Sequence, residues 1–294
     1  MSILYRKNRK FYYLLIVPAL VLYAGALLIP LLGGTIPYSF LNWNLMSGKK
    51  SVAGFSNYVK LISDSGFWMA FWFNIKLGVL TIIGSNLAGF VLAYFLNKEI
   101  KAKGLIRSLF FIPNIISAVL VAFIWTFIFS QILPNIAQLM DWEWLGSISW
   151  FGTPQMAAFT IVVVSIWQQI GFLMMIYTAG LQTIPADLIE AGKIDGCTGF
   201  KLIRYIQLPL LMPTITINLF VSISGAFKAF DVPNAMTAGG PYGSTMPVAM
   251  DIYKEAFGKY NMGYGAAKSV VLFLIVAAVT LIQLHITRKK EVEY

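Results

Sequence analysis

With one cysteine, Cys197, and one histidine, His285, in 294 residues, the chain can form no internal disulfide and offers no conventional zinc site. Charge is scarce as well: Asp, Glu, Lys and Arg make up 12% of the residues, against about 25% in ordinary soluble domains. Beside 58% hydrophobic residues and a mean hydropathy of +0.74, so little charge excludes water as the main solvent. A Gly-x4-Gly-Lys-Ser/Thr phosphate loop is also missing, because Gly192-Lys193 lacks the upstream glycine, the strand and the following hydroxyl. Any ATP used by this protein is therefore hydrolysed elsewhere. The twelve acids fall almost wholly between apolar runs, which argues against an intramembrane enzyme and against a proton- or sodium-driven carrier.

What is present is a set of six apolar runs, at roughly 11–36, 71–96, 108–131, 157–181, 210–230 and 265–287, each about the 20 residues that span a bilayer. None alternates in the way of barrel strands, and backbone polar groups in lipid must be satisfied within the segment, so helices are predicted. Pro18, Pro30, Pro113 and Pro213 fall in or near the runs, where spanning helices tolerate them. The expected fold is an all-α polytopic membrane protein of six transmembrane helices, with residues 1–70 as terminus, first span and outer loop, 71–287 as a five-span core and 288–294 as a tail. The basic start imitates a secretory signal, but the apolar stretch is too long and lacks a small-residue cleavage pattern.

The formal charge of +10 matters less than its placement. Arg6, Lys7, Arg9 and Lys10, then Lys98, Lys101, Lys103 and Arg107, then Lys193, Lys201 and Arg204, then Arg288, Lys289 and Lys290 occupy one alternate set of connections. Lys49, Lys50, Lys60, Lys254 and Lys259 occupy the other. By the positive-inside rule the first set, fourteen against five, is cytoplasmic, with both termini. Basic residues distributed this way suit a lipid surface and not nucleic acid. Trp43, Tyr58, Trp68, Trp142, Trp144 and Trp150 on the opposite side suit an interfacial belt.

Between the fourth and fifth runs lies the most informative segment, residues 182–209. Pro185 suits the first turn of a helix, Asp187 and Glu190 its N-terminal half and Gly196 its stop. Thr198 is placed to cap a second helix that Pro209 bounds. Leu188, Ala191, Gly192 and Asp195 recur at three- and four-residue steps, giving a small-sided face that another structure can approach closely. The spacing Glu190-Ala191-Gly192, Asp195-Gly196, nine residues, Ile206, one residue, Leu208-Pro209 resembles the EAA loop of the permeases of ATP-binding-cassette importers. In that family the loop seats a short helix in a cleft of the ATPase subunit, with the glutamate facing an arginine and the glycine as elbow. Glu190 and Gly196 hold those positions, and Gly192 stands where a second alanine is usual.

A second set of residues narrows the resemblance. Phe230-Asp231, Thr237, Gly239-Gly240-Pro241, Thr245, Tyr253, Ala256-Phe257, Gly263-Tyr264, Ala267 and Ser269, with Trp167-Gln168 and Ala179-Gly180-Leu181-Gln182, look like the maltose-type, carbohydrate-importing permeases. The resemblance covers essentially the whole chain. It implies a type I importer fold in a prokaryotic inner membrane, and a translocating subunit that is not itself an enzyme. It implies a second, similar permease, two copies of an ATPase that holds ATP and Mg, and an extracytoplasmic sugar-binding protein. It implies no cofactor or metal in this chain. Permeases for amino acids and peptides also carry EAA loops, so those solute classes stay open.

Polar side chains at membrane depth are costly and mark functional candidates. Here they are Trp167, Gln168, Gln169, Ser222, Ser224, Lys228 and Asp231, a mix of ring, amide and hydroxyl that a sugar site needs. The family resemblance adds Phe172, Gly225, Ala226 and Ala229 to Gln168, Gln169 and Ser222 as solute contacts. The alternative for Gln168, Gln169, Ser222 and Ser224 is bonding and packing between helices. Lys228 and Asp231, three apart, are expected to pair with each other. Lys76 and Lys268 are expected to snorkel from span ends, and His285 to sit at an interface.

Overall fold

The structure, a computed structural model, describes residues 9–98, 100–289 and 291; Arg6, Lys7 and Lys290, counted above, lie outside them. Five helical stretches among the described residues are long and apolar enough to cross a membrane: Ile16–Ser39, Ser65–Leu96, Ala118–Leu139, Pro154–Thr183 and Met262–Arg288. A bent pair, Phe200–Leu210 and Met212–Phe227, supplies the sixth when counted as one span. The elements named below are α1 (Arg9–Pro30), β1 (Leu41–Trp43), β2 (Lys50–Val52), α2 (Ser65–Leu96), α3 (Lys103–Ile115), α4 (Ala118–Phe127), α5 (Pro154–Thr183), α6 (Ala186–Ile194), α7 (Met212–Phe227), α8 (Asp231–Thr237) and α9 (Met262–Arg288).

Two of the expected spans differ from the sequence reading. The run 108–131 is not one helix: α3 ends at Ile115, Ile116 and Ser117 are extended, and α4 starts a new helix that continues through a π turn to Leu139. Pro113 in the last turn of α3 brings no N–H for the Leu109 carbonyl, and at the break itself the Ile116 carbonyl, left without a helical partner, accepts from Gln168 Nε2 at 3.4 Å. In the fifth run the helix breaks at Leu211 and turns by 74°. Only the 16 residues of α7 remain beyond the turn, about 24 Å of rise.

The chain divides into two compact units. The first comprises Met1–Asp64 and Ile252–Phe273. It contains the β1–β2 hairpin, in antiparallel register with Leu41 opposite Val52 and Trp43 opposite Lys50, and an isolated bridge from Asn44 to Asn261. Asn57 ties the hairpin to the end of the first span by donating to the carbonyls of Ser39 and Leu41 at 2.9 and 3.0 Å. Here the snorkelling expected of Lys268 is overturned. Its side chain is buried, 1% exposed, and its ammonium lies 3.0 Å from Asp64 and 3.8 Å from Glu255. A buried ammonium persists only when paired, and both partners lie outside α9, where the periodicity of that helix does not reveal them.

The second unit comprises Ser65–Asp251 and Leu274–Tyr294. Helices α2 and α5 run along one another and build two apolar clusters. One gathers Phe73, Leu77, Val121, Phe129, Ile161 and Val232. The other gathers Ala93, Leu96, Leu173, Met174, Leu181 and Leu211. Between these clusters, along α2 and α5, lies a band of polar side chains. Asn74 closes its edge by donating to the Ala226 carbonyl at 3.0 Å and accepting from the Val248 N–H at 3.3 Å.

Candidate coupling segment and solute cavity

The segment after α5 folds as a helix, a glycine turn and a second helix. Helix α6 begins directly after Pro185, holds Asp187 in its first turn and Lys193 in its last, and so matches its dipole at both ends. Its end is a complete Schellman motif: Gly196 N–H donates to the Lys193 carbonyl at 3.1 Å and Cys197 N–H to the Gly192 carbonyl at 2.8 Å. Gly196 has φ +81°, the left-handed conformation that this motif requires and that glycine adopts without a Cβ penalty. The next helix starts one residue later than expected. Gly199, at φ +54°, takes the cap position, and Thr198 contributes only its carbonyl, to the Lys201 N–H at 3.1 Å.

From Gly199 the chain forms a helical arm, Phe200–Leu210, interrupted by a π turn at Ile203–Gln207. Gly192 is buried against it, where an added Cβ would collide with the Cδ1 methyl of Ile206. The small side of α6 is thus used at Gly192 to hold the arm, while Glu190, Ala191, Asp195 and Gly196 remain exposed. Ile206, Leu208 and Pro209 are half-buried along the arm. Large apolar side chains stand out into the surroundings beside them, Ile194 at 87% and Phe200 at 76% exposed. The exposed carboxylate of Glu190 thus stands among exposed apolar groups on a helix capped at its C-terminal end.

Beyond the elbow at Leu211, α7 leads to a cavity of about 260 Å³ in the polar band. Gln168, Gln169, Ser222 and Asp231 line it together, with Asn114, Lys228 and small residues Gly225, Ala226 and Ala229. Two other expected path residues lie elsewhere. Trp167 packs edge-on against Trp125, ring centroids 5.4 Å apart, and Phe172 packs on the apolar cluster around Leu173 and Leu181. Lys228 and Asp231 share the cavity wall but form no ion pair within the described residues, which corrects the expected pairing; both are exposed, and solvent removes most of the attraction.

The amides and hydroxyls of this wall also bond between helices. Ser85 Oγ lies 3.0 Å from Gln169 Oε1, and Asn86 Nδ2 donates to Ser222 Oγ at 3.0 Å. Tyr177 donates to Asn86 Oδ1 at 2.9 Å, and Asn218 Nδ2 to the Leu173 carbonyl at 3.4 Å. Sequence reasoning missed Ser85, Asn86, Asn114, Tyr177 and Asn218. The signal was available, since a polar side chain inside an apolar run is costly wherever it falls.

Residues 85–292 match the family described as binding-protein-dependent transport system inner membrane component. The chain belongs to that family. It is a multi-pass inner-membrane protein, a translocating permease subunit. The probable starch degradation products transport system permease protein of Thermoanaerobacterium thermosulfurigenes is 38% identical over 287 residues, 98% of this chain and 97% of that one. The multiple sugar-binding transport system permease protein of Streptococcus mutans is 32% identical over 278 residues, 95% of each chain. In fold, this permease is similar to a chain in the crystal structure of a bacterial ABC transporter involved in the import of alginate, with a TM-score of 0.81 at 20% identity over 97% of this chain and 98% of that one. The family match takes in α6, the arm, the elbow and most of the cavity wall, so coupling segment and cavity fall within one shared architecture.

Proposed function

We propose that this permease forms half of the translocation path of an ATP-driven oligosaccharide importer and is driven through α6. The observation that carries the reading is mechanical continuity. Ser222 and Gly225 of the cavity wall sit on α7, α7 joins the arm at the Leu211 elbow, and the arm is held to α6 by Gly192 and Ile206. A displacement of α6 is thereby passed to one wall of the cavity. Glu190, Ala191, Asp195 and Gly196 present the docking surface, and Ile206, Leu208 and Pro209 carry its movement inward.

In this reading α6 and both termini face the cytoplasm, where the basic connections lie. An ATPase subunit that holds ATP and Mg docks on α6, a second permease completes the path, and an extracytoplasmic binding protein delivers solute. Carbohydrate is supported as the solute by relatives named for starch degradation products and multiple sugars, and by a cavity of amides, hydroxyls, an ammonium and a carboxylate suited to sugar hydroxyls. The test is reconstitution with the ATPase, second permease and binding protein. Glu190→Ala is expected to lower ATPase-driven uptake by at least tenfold; full uptake with normal ATPase assembly would sink the coupling role. Uptake of amino acids or peptides instead of sugars would move the solute to another class.

A further inference from the structure

Asn86 does not line the cavity, yet both hydrogens and the oxygen of its side-chain amide are engaged and its orientation is fixed. Nδ2 lies 2.9 Å from the Ile82 carbonyl oxygen. A backbone carbonyl only accepts, so the nitrogen of the amide, and not its oxygen, must stand there. The other Nδ2 hydrogen goes to Ser222 Oγ at 3.0 Å, and Oδ1 receives the Tyr177 hydroxyl proton at 2.9 Å. The flip that leaves many amides ambiguous is closed by Ile82.

We infer that Asn86 is a positioning residue for solute recognition: it fills an acceptor site on Ser222 and leaves the Ser222 hydroxyl as a donor into the cavity. The inference rests on the cavity being the solute path. A serine hydroxyl has one proton to give, and in helices that proton often turns back on the carbonyl four residues earlier. Ser85 and Ser269 do so toward Thr81 and Gly265, at 2.6 and 2.9 Å. Among the described residues Ser222 gives its proton to no acceptor in the chain. The wall then selects a solute atom that accepts, such as a hydroxyl, ring or glycosidic oxygen. Gln169 is not fixed in this way, because the single Ser85 proton is divided between the Thr81 carbonyl and Gln169 Oε1.

The test uses the complete transporter in liposomes, labelled maltotriose as solute, and singly deoxygenated or fluorinated maltotrioses as competitors, with each competitor's affinity for the binding protein measured separately. Fluorine accepts weakly but does not donate, so a position that meets Ser222 tolerates fluorine better than hydrogen. The intact permease is expected to favour one fluoro analogue over its deoxy counterpart by about tenfold, the scale of one hydrogen bond. Ser222→Ala abolishes that preference. Asn86→Ala, which frees the Ser222 proton to turn back on its own helix, lowers it to about threefold or less, and adds nothing when combined with Ser222→Ala. Tyr177→Phe retains it, since Ile82 still orients the amide. Should Asn86→Ala fail to assemble, Asn86→Asp, which accepts the Ser222 proton, is expected to give the same loss. A preference unchanged in the Asn86 variants, or absent from the intact permease, overturns the inference. No uptake of any α-glucan by the intact transporter overturns the proposed solute path and this inference with it.

Discussion

The ammonium of Lys268 lies 3.0 Å from the carboxylate of Asp64, and Tyr264 donates to the same carboxylate oxygen at 2.6 Å. Glu255 completes the group, accepting from Lys259 at 2.8 Å and from Asn261 at 2.9 Å. Removing the cation takes from Asp64 the ammonium 3.0 Å away and leaves Glu255 with Lys259 as its close cation. Lys268→Met is expected to destabilise the first unit by about 3–5 kcal/mol, as for other broken buried pairs. Chemical unfolding in detergent measures this, and a loss below about 1 kcal/mol would place the pair among weak surface contacts.

Acid should act on the same group. Burial pushes the Glu255 carboxyl up, but the bonds from Lys259 and Asn261 and the nearby Lys268 charge outweigh it and hold the group below its ordinary 4.5. A depressed carboxyl contributes stability that is complete above the unfolded value and is lost as pH falls through the folded one. The first unit is therefore expected to weaken only below about pH 4.5. Glu255→Gln should flatten that part of the profile; an unaltered acid limb in the variant would assign the effect to other carboxyls.

At Gly192 two effects oppose each other. Alanine favours the helix by about 1 kcal/mol, but its Cβ meets the flexible end of Ile206. Gly192→Ala alone is expected to be neutral within about 1 kcal/mol, and Gly192→Ala with Ile206→Val, which removes the colliding methyl, to be stabilising. Gly192→Leu should separate α6 from the arm and abolish uptake while leaving the subunit in the membrane. Normal uptake by the leucine variant would mean that the arm does not carry the drive.

Gly196→Ala forces a Cβ into the left-handed region at φ +81°, at a cost of about 1–2 kcal/mol. The turn between α6 and the arm should loosen, with faster proteolysis after Lys193. Gly196→Asn should be milder, because asparagine tolerates that conformation. Equal proteolysis of all three proteins would contradict this account of the turn.

The helix–turn–helix fold of the segment after α5 was legible because its signals are local. Pro185, Asp187 and Gly196 act within a few residues, and the structure uses each near its expected position. Thr198 misled because Gly199, with its wider range of φ, could take the cap. The break at Ile116–Ser117 was hidden because Pro113 is ambiguous in a membrane helix, and the partner that makes the break tolerable, Gln168, lies on another helix. Lys268 was misread for the same reason. Asn86 was visible as an amide in an apolar run, but its role depends on Ile82, Tyr177 and Ser222 meeting in space, which no spacing along the chain encodes.

The elbow at Leu211 also sets a mechanical ratio. The arm Phe200–Leu210 has 11 residues, about 16 Å at helical rise, and stands at 74° to α7, so it acts as a crank on the end of that helix. Turning it by roughly 10° carries its far end about 3 Å, comparable to the length of one hydrogen bond. In the proposed coupling, a small push at α6 would be delivered as torque about the Leu211 joint, turning the helix that bears Ser222 on its axis and not sliding it through the membrane.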